Sequence, residues 1–188
     1  MPFIGNTPAQ VPLTSADIAD GIISSADIAN GAITAAKLAS GVGGKVLQVV
    51  QGTSMVRTTT TSTTFVNTNV TVNITPSSTS NKILITGHTQ LYSPNINTTY
   101  GPGIAIKRNS TEVWRSSASS GNYFSFFGGN ANYLLIPVPF GYLDSPSLTS
   151  SITYTLAISS FTGGSVEDFA GDSGSRYTGV IIAMEIAG

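Results

Sequence analysis

Acidic residues near the C-terminus are the first candidates for chemistry. Glu167, Asp168 and Asp172 lie in the Gly- and Ser-rich stretch SVEDFAGDSGS, and Asp144 precedes the turn-like SPS. A calcium loop needs acids at alternate positions, which this order does not provide. Asp144 and one loop acid could form the carboxylate pair of a glycosidase, whose groups lie about 5–9.5 Å apart. A solvated acidic loop is the simpler interpretation, so we predict neither a metal site nor catalytic residues.

Two further motifs suggest chemistry at first sight. The segment GVGGKV (41–46) resembles part of a phosphate-binding loop, but Ala39 replaces its first Gly and Val46 its magnesium-binding Ser or Thr. A hinge is the better interpretation. His88 is the single His, and no G-x-S-x-G elbow accompanies it, which favours a structural or interface role. The chain has no Cys for a disulfide, a thiolate zinc site or a nucleophile. We therefore expect no enzyme and no cofactor.

The composition is that of a folded, charge-poor protein. Of its 188 residues, 40% are hydrophobic and only 9% are charged, against about 25% charged in a typical domain. Bulk disorder is excluded, because disordered chains lack apolar residues and carry a high net charge. A net charge of −1 gives no basic field for nucleic acid. We find neither the roughly 20-residue apolar run of a membrane helix nor the basic start of a signal peptide, and expect synthesis in a cytoplasm.

Three ten-residue repeats follow the first thirteen residues. They read TSADIADGII (14–23), SSADIANGAI (24–33) and TAAKLASGVG (34–43). Thr14, Ser24 and Thr34 are residue types that cap a helix N-terminus. The Ala-Asp-Ile-Ala core can then form one helical turn, and the following Gly can end that turn in a left-handed conformation. The pattern predicts a regular chain of short turns.

A single chain of this repeat should not hold its shape. Ordering ten residues costs about 10–20 kcal/mol of backbone entropy, whereas each fully buried Ile returns about 1.5–3 kcal/mol. Several chains around one axis would bury Ile18, Ile28 and Leu38 against their own copies. We therefore predict a short shaft of several chains over residues 14–44. A flexible linker is the alternative, and the strict register of these three apolar residues argues against it.

The first thirteen residues, MPFIGNTPAQVPL, contain three Pro and no charged side chain. Each Pro biases the residue before it toward extended backbone. We predict an extended anchoring segment over residues 1–13, in which Phe3 and Ile4 occupy a groove on a partner protein.

From residue 45 onward the hydrophobic period is two, and β-branched and aromatic residues dominate. Nine strands are predicted, at 46–50, 55–61, 65–75, 81–92, 104–108, 111–115, 132–138, 152–159 and 177–186. So many short strands in one domain predict an all-β fold, a β-sandwich of the jelly-roll type, over residues 45–188. Several strands are apolar on both sides, as in VIIAMEIA, so one face could pack the core and the other a subunit interface.

Several segments together resemble tail-fibre-type proteins of tailed bacteriophages. They are the ADIANGAIT…KLASG repeat, GKVLQVVQG, ITPSSTSNKILIT, GYLDSP and the terminal IIAMEIAG, and the resemblance covers roughly residues 14–188. It implies a homotrimeric virion fibre of the tail or baseplate, with a β-rich knob that contacts a host polysaccharide or envelope protein. The partner of Phe3 and Ile4 would then be another virion protein.

Aromatic residues in loops are the candidates for receptor contact, because aromatic side chains are enriched at binding hot spots. Tyr100 and Tyr123, flanked by Gly and Asn, are the two we favour. Two other functions stay open at this point. One is a capsid-decorating or head-fibre protein, and the other is a small polysaccharide-cleaving enzyme.

Overall fold

The computed structural model describes residues 14–34, 37–38, 45–93, 102–116, 134–160, 165–168 and 177–188. The chain divides into two compact units, Met1–Gly44 and Lys45–Gly188. In the first unit, single 3-10 turns occupy Ser15–Asp17 and Ser25–Asp27. The second unit, called the β-unit below, contains only strands and turns in its described part.

Ten strands make up the described part of the β-unit. They are β1 (Val46–Ser54), β2 (Thr58–Thr60), β3 (Val66–Ile74), β4 (Lys82–Ser93), β5 (Gly103–Arg108), β6 (Thr111–Arg115), β7 (Leu134–Asp144), β8 (Ile152–Ser159), β9 (Val166–Asp168) and β10 (Gly179–Ile186).

Two antiparallel sheets result, and their strand order is that of a jelly roll. The first sheet runs β1-β10-β4-β7, and the short strands β9 and β2 continue from the far end of β4. The second sheet runs β3-β8-β5-β6. When the short strands β2 and β9 are left out and the other eight are renumbered 1 to 8 in chain order, the first sheet has the order 1-8-3-6 and the second 2-7-4-5. These are the nested strand orders of a jelly roll. The predicted all-β, jelly-roll-type sandwich is therefore confirmed.

The core lies between the sheets because alternate residues of each strand point inward. On β3 the buried apolar residues are Val70, Val72 and Ile74, while the Asn residues between and before them are exposed. On β10, Ile181 and Ala183 are buried in the same core. On β3 the sequence period of two thus translates directly into one apolar and one polar face.

Some predicted strand limits were wrong. The strand expected at 132–138 continues to Asp144 through Pro137 and Pro139. Pro is tolerated there because, within the described residues, β7 pairs only with β4 and has a free edge that needs no N–H donor. The strand expected at 55–61 shrinks to Thr58–Thr60, and its partner β9 was not predicted at all.

Gly52 is required by the close approach of β1 to β3. A Cβ built at Gly52 would lie 1.7 Å from the backbone oxygen of Thr71, whereas one built at Gly141 would meet its nearest neighbour at 3.9 Å. We predict that Gly52→Ala lowers the free energy of unfolding by at least about 1–3 kcal/mol, the range for overpacking. Gly141→Ala should leave it nearly unchanged. Chemical denaturation of both variants measures the difference, and equal stabilities would contradict this packing.

Candidate functional site

Each repeat begins with a turn closed by an Asp side chain. The Asp17 carboxylate accepts hydrogen bonds from the backbone nitrogen and the hydroxyl of Thr14, both at 2.7 Å. Asp27 accepts the same two bonds from Ser24, at 2.9 and 2.7 Å. These hydrogen bonds lower the pKa of both carboxyl groups. Thr14 and Ser24 are N-cap residues as predicted, and the Asp three residues later completes the capping box.

A second turn follows, and it corrects the predicted role of the glycines. The backbone nitrogen of Ile22 donates to the oxygen of Ala19 at 3.3 Å, and that of Ala32 to the oxygen of Ala29 at 2.9 Å. Gly21 and Gly31 have φ of 83° and 79°, so their left-handed conformation is confirmed. They occupy the third position of a β-turn, where positive φ favours Gly, rather than ending the helical turn. The helical turn itself stops at Asp17 or Asp27, because the next residue is extended.

The two complete repeats share one backbone conformation. Ile18 has φ −115° and ψ 103°, and Ile28 has φ −109° and ψ 108°. The third repeat starts in the same way, with the backbone nitrogen of Lys37 donating to the oxygen of Thr34 at 2.9 Å. A unit that recurs in sequence and in backbone angles places equivalent side chains at equivalent positions.

The apolar residues of the repeat are not buried by their own chain. Ile18 is 44% exposed and Ile28 is 39% exposed, and Leu38 is half-buried. Ile22, Ile23 and Ile33 are more exposed still. The residues expected at a trimer axis are therefore available for contact with other chains.

A buried carboxylate, which sequence reasoning missed, joins three segments of the β-unit. Glu185 on β10 is 1% exposed, and one of its oxygens accepts hydrogen bonds from the backbone nitrogen of Ser77 and the side-chain amide of Asn81, both at 2.6 Å. Its other oxygen accepts from the Gln48 amide on β1, also at 2.6 Å. Asn81 also accepts a hydrogen bond from the backbone nitrogen of Gly188. The signal was a lone acid inside the apolar strand VIIAMEIA, where a charge needs buried partners.

The hydrogen bonds outweigh the effect of burial on Glu185. Burial alone would raise the pKa of this carboxyl, but the bonds from Asn81, Gln48 and Ser77 lower it to about 2. The ionised form is therefore the one that holds the segments together.

A second buried carboxylate links the two sheets. Asp144, at the end of β7, accepts hydrogen bonds from the Arg108 guanidinium on β5 at 3.0 and 3.1 Å and from the Tyr154 hydroxyl on β8 at 2.7 Å. Burial and the hydrogen bond to Asp144 raise the pKa of Tyr154. Asp144 therefore has a structural role, as a contact between the two sheets.

The acidic loop residues also have structural contacts. The Asp168 side chain is buried and accepts a hydrogen bond from Thr89. Glu167 pairs with Arg57 at 2.7 Å. Within the described ranges, no group of three His, Cys, Asp or Glu side chains could hold a metal ion. No helix there is long and apolar enough to cross a membrane.

Four of the predicted contact residues lie outside the described residues. They are Phe3 and Ile4 of the anchoring segment, and Tyr100 and Tyr123 of the loops. Their roles stay predictions.

Comparison with known proteins gives matches among solved structures only. No protein-family model and no curated protein matches the chain. Among solved structures, the VP2 subviral particle of infectious bursal disease virus is similar, with 13% identity and a TM-score of 0.39 over 76% of this chain and 34% of that one. A mutant VP2 of the same virus in T=1 particles has 16% identity and a TM-score of 0.37 over 74% and 36%. The chain spans about a third of the VP2 length.

The Glu185 cluster predicts an acid-sensitive β-unit. The folded pKa of about 2 lies below the ordinary 4.5, so the cluster stabilises the fold fully above about pH 4.5 and this stabilisation is lost as the pH falls toward 2. Glu185→Gln should lower the free energy of unfolding by about 1.5–3 kcal/mol at neutral pH and flatten its dependence on pH in that window.

Thermal melts from pH 7 to 2 measure this effect. Glu167→Gln is the matched control, because its carboxylate belongs to a surface pair worth at most about 1 kcal/mol. If Glu185→Gln had the same dependence of stability on pH as the unaltered protein, the acid sensitivity could not be attributed to Glu185.

Proposed function

We propose that this chain is a tail-fibre-type virion protein of a bacteriophage. It forms a homotrimer through residues 14–44, attaches to another virion protein through residues 1–13, and presents the β-unit to the host surface. The observation that carries the proposal is the repeat itself, in which Ile18 and Ile28 recur in one conformation and remain exposed on a single chain.

The repeat geometry favours assembly around an axis. The acids in its turns accept hydrogen bonds from their own backbone and hydroxyl groups, so each turn is held locally without a core. The isoleucines lack such a local partner and gain free energy only when another apolar surface covers them. Copies of the same repeat provide that surface in matching register, as in other repeated structures.

The jelly roll is suited to the role of a knob. Jelly-roll units occur as viral capsid and lectin domains, although a fold alone does not define a function. The contact residues that we propose are Tyr100 and Tyr123, in loops with abundant Gly, Ser and Asn, a composition typical of adaptable binding surfaces. Three copies would raise the avidity by about 10²–10⁴ over one copy.

A capsid-decorating or head-fibre protein is the alternative, and it differs in the partner of residues 1–13. Immunogold labelling of virions with an antibody to the β-unit distinguishes the two functions. Labelled tails support the fibre, and labelled heads support decoration. A polysaccharide-cleaving enzyme has less support, because Asp144 and Asp168 are both buried in structural hydrogen bonds.

The shaft predicts that a charge at position 28 disrupts assembly. Ile28→Asp would bring three carboxylates together near one axis, which costs several kcal/mol through desolvation and repulsion. Light scattering after size exclusion should give a trimer for the unaltered chain and smaller species for the variant at micromolar concentration.

Asn30→Asp is the matched control, because the equivalent position of the first repeat is already Asp20. It should assemble like the unaltered chain. An Ile28→Asp variant that both assembles and melts like the unaltered chain would show that Ile28 faces solvent and would remove the main support for the shaft.

If the β-unit binds the host, we predict that Tyr100 and Tyr123 in its loops contact the receptor. Tyr100→Ala and Tyr123→Ala should each weaken the binding of the full-length protein to host cells by about tenfold or more, the cost of losing a hot-spot side chain. Flow cytometry with fluorescently labelled protein measures the effect. Thr79→Ala, in an exposed turn between β3 and β4, is the control. Undiminished binding by both Tyr variants would refute this assignment of the receptor site.

A further inference from the structure

The outward faces of the two sheets differ in character. On the sheet β3-β8-β5-β6, the outward side chains of β3 are Asn67, Asn69, Thr71 and Asn73, all exposed. On the neighbouring β8, Thr153 is partly exposed and Thr155 is buried. The exposed edge of this sheet along β3 is therefore polar, as is usual for the outward face of an antiparallel sheet.

The outward face of the sheet β1-β10-β4-β7 is apolar instead. One row crosses all four strands through residues that lie directly opposite each other. The row consists of Val49, Met184, Leu84 and Leu143. Its two ends, Val49 and Leu143, are 59% and 48% exposed, and the two central residues are half-buried.

More apolar residues surround this row. We call the whole surface the apolar face, and it comprises Leu47, Val49, Leu84, Leu135, Leu143, Val180, Ile182, Met184 and Ile186. The other outward positions of these four strands hold polar residues at their margins and among them, but no Asp or Glu. They include Gln51, Thr53, Lys82, Thr86, His88 and Gln90. Such a surface is costly to leave in water and contains almost no charge whose desolvation would oppose its burial.

The apolar face covers about half the area of a standard interface. All four strands lie side by side over Ile83–His88 of β4 and the residues paired with them. Four strands spaced about 4.8 Å apart are about 19 Å wide, and six residues at about 3.4 Å each give a length of about 20 Å. The flat footprint is therefore about 400 Å², against roughly 800 Å² per partner in a standard protein interface.

We infer that the apolar face packs against other copies of this chain, so that the β-units form a second interface of the same assembly. This inference rests on the proposed trimer. Val46, the first residue of β1, follows residue 44 by only two positions. Chains joined through residues 14–44 would hold their β-units at a high effective concentration, which makes the second contact effectively intramolecular.

The absence of Cys from the chain allows a direct test with single-cysteine variants of the full-length protein. Val49→Cys and Leu143→Cys place a thiol at each end of the apolar row. Asn67→Cys places one on the polar face of the other sheet, at an exposed position. The rate of maleimide labelling is measured on purified protein, both folded and in denaturant, while sedimentation velocity gives the number of chains per particle.

The expected result is a trimer in which the two thiols of the apolar row react at least roughly tenfold more slowly than the thiol on the polar face when folded, and equally fast in denaturant. Such protection on a trimeric particle supports another copy as the occupant of the apolar face. A trimer in which all three thiols react alike overturns the inference and leaves the proposed shaft intact. A monomer with all three thiols reactive overturns both.

Discussion

Apolar surface that one chain cannot bury is the constraint on which the rest of this account depends. The sandwich core is closed by the chain itself, and its largest side chains are fully buried. The isoleucines of the repeat and the apolar face of the first sheet are not. Since burial of such surface is the dominant favourable term in both folding and association, the chain's exposed surface favours assembly.

Two buried carboxylates link separate strands of the β-unit. Asp144 ties β7 of one sheet to β5 and β8 of the other. Glu185 ties β10 to β1 and to the segment before β4. Breaking a satisfied polar cluster leaves buried groups unpaired, so both clusters oppose sliding of the strands whose edges and faces would meet neighbouring copies.

The fold was largely predictable, because the period of two and the turn residues marked most of the strands. The strand through Pro137 and Pro139 was cut short in the prediction, since its status as an edge strand depends on the sheet order and cannot be read locally. The cap residues Thr14 and Ser24 were predicted from residue type, but the β-turns at Gly21 and Gly31 were not. The Glu185 cluster escaped prediction because its partners lie more than 100 positions away in the sequence.

The candidate functional residues could be found in the sequence only in part, for the same physical reason. The ten-residue repeat can be aligned with itself, so the recurrence of an apolar residue at Ile18 and Ile28 is visible in the sequence alone. An apolar face, by contrast, exists only once β1, β10, β4 and β7 are placed side by side. Alternation within one strand cannot tell which apolar side is the core.

Native mass spectrometry of the unaltered, full-length protein tests the central claim most directly. The account predicts one dominant species with three times the 19.4 kDa mass of the chain, stable at low micromolar concentration. A dominant monomer under the same conditions would contradict it, because the exposed isoleucines and the apolar face would then remain in contact with water.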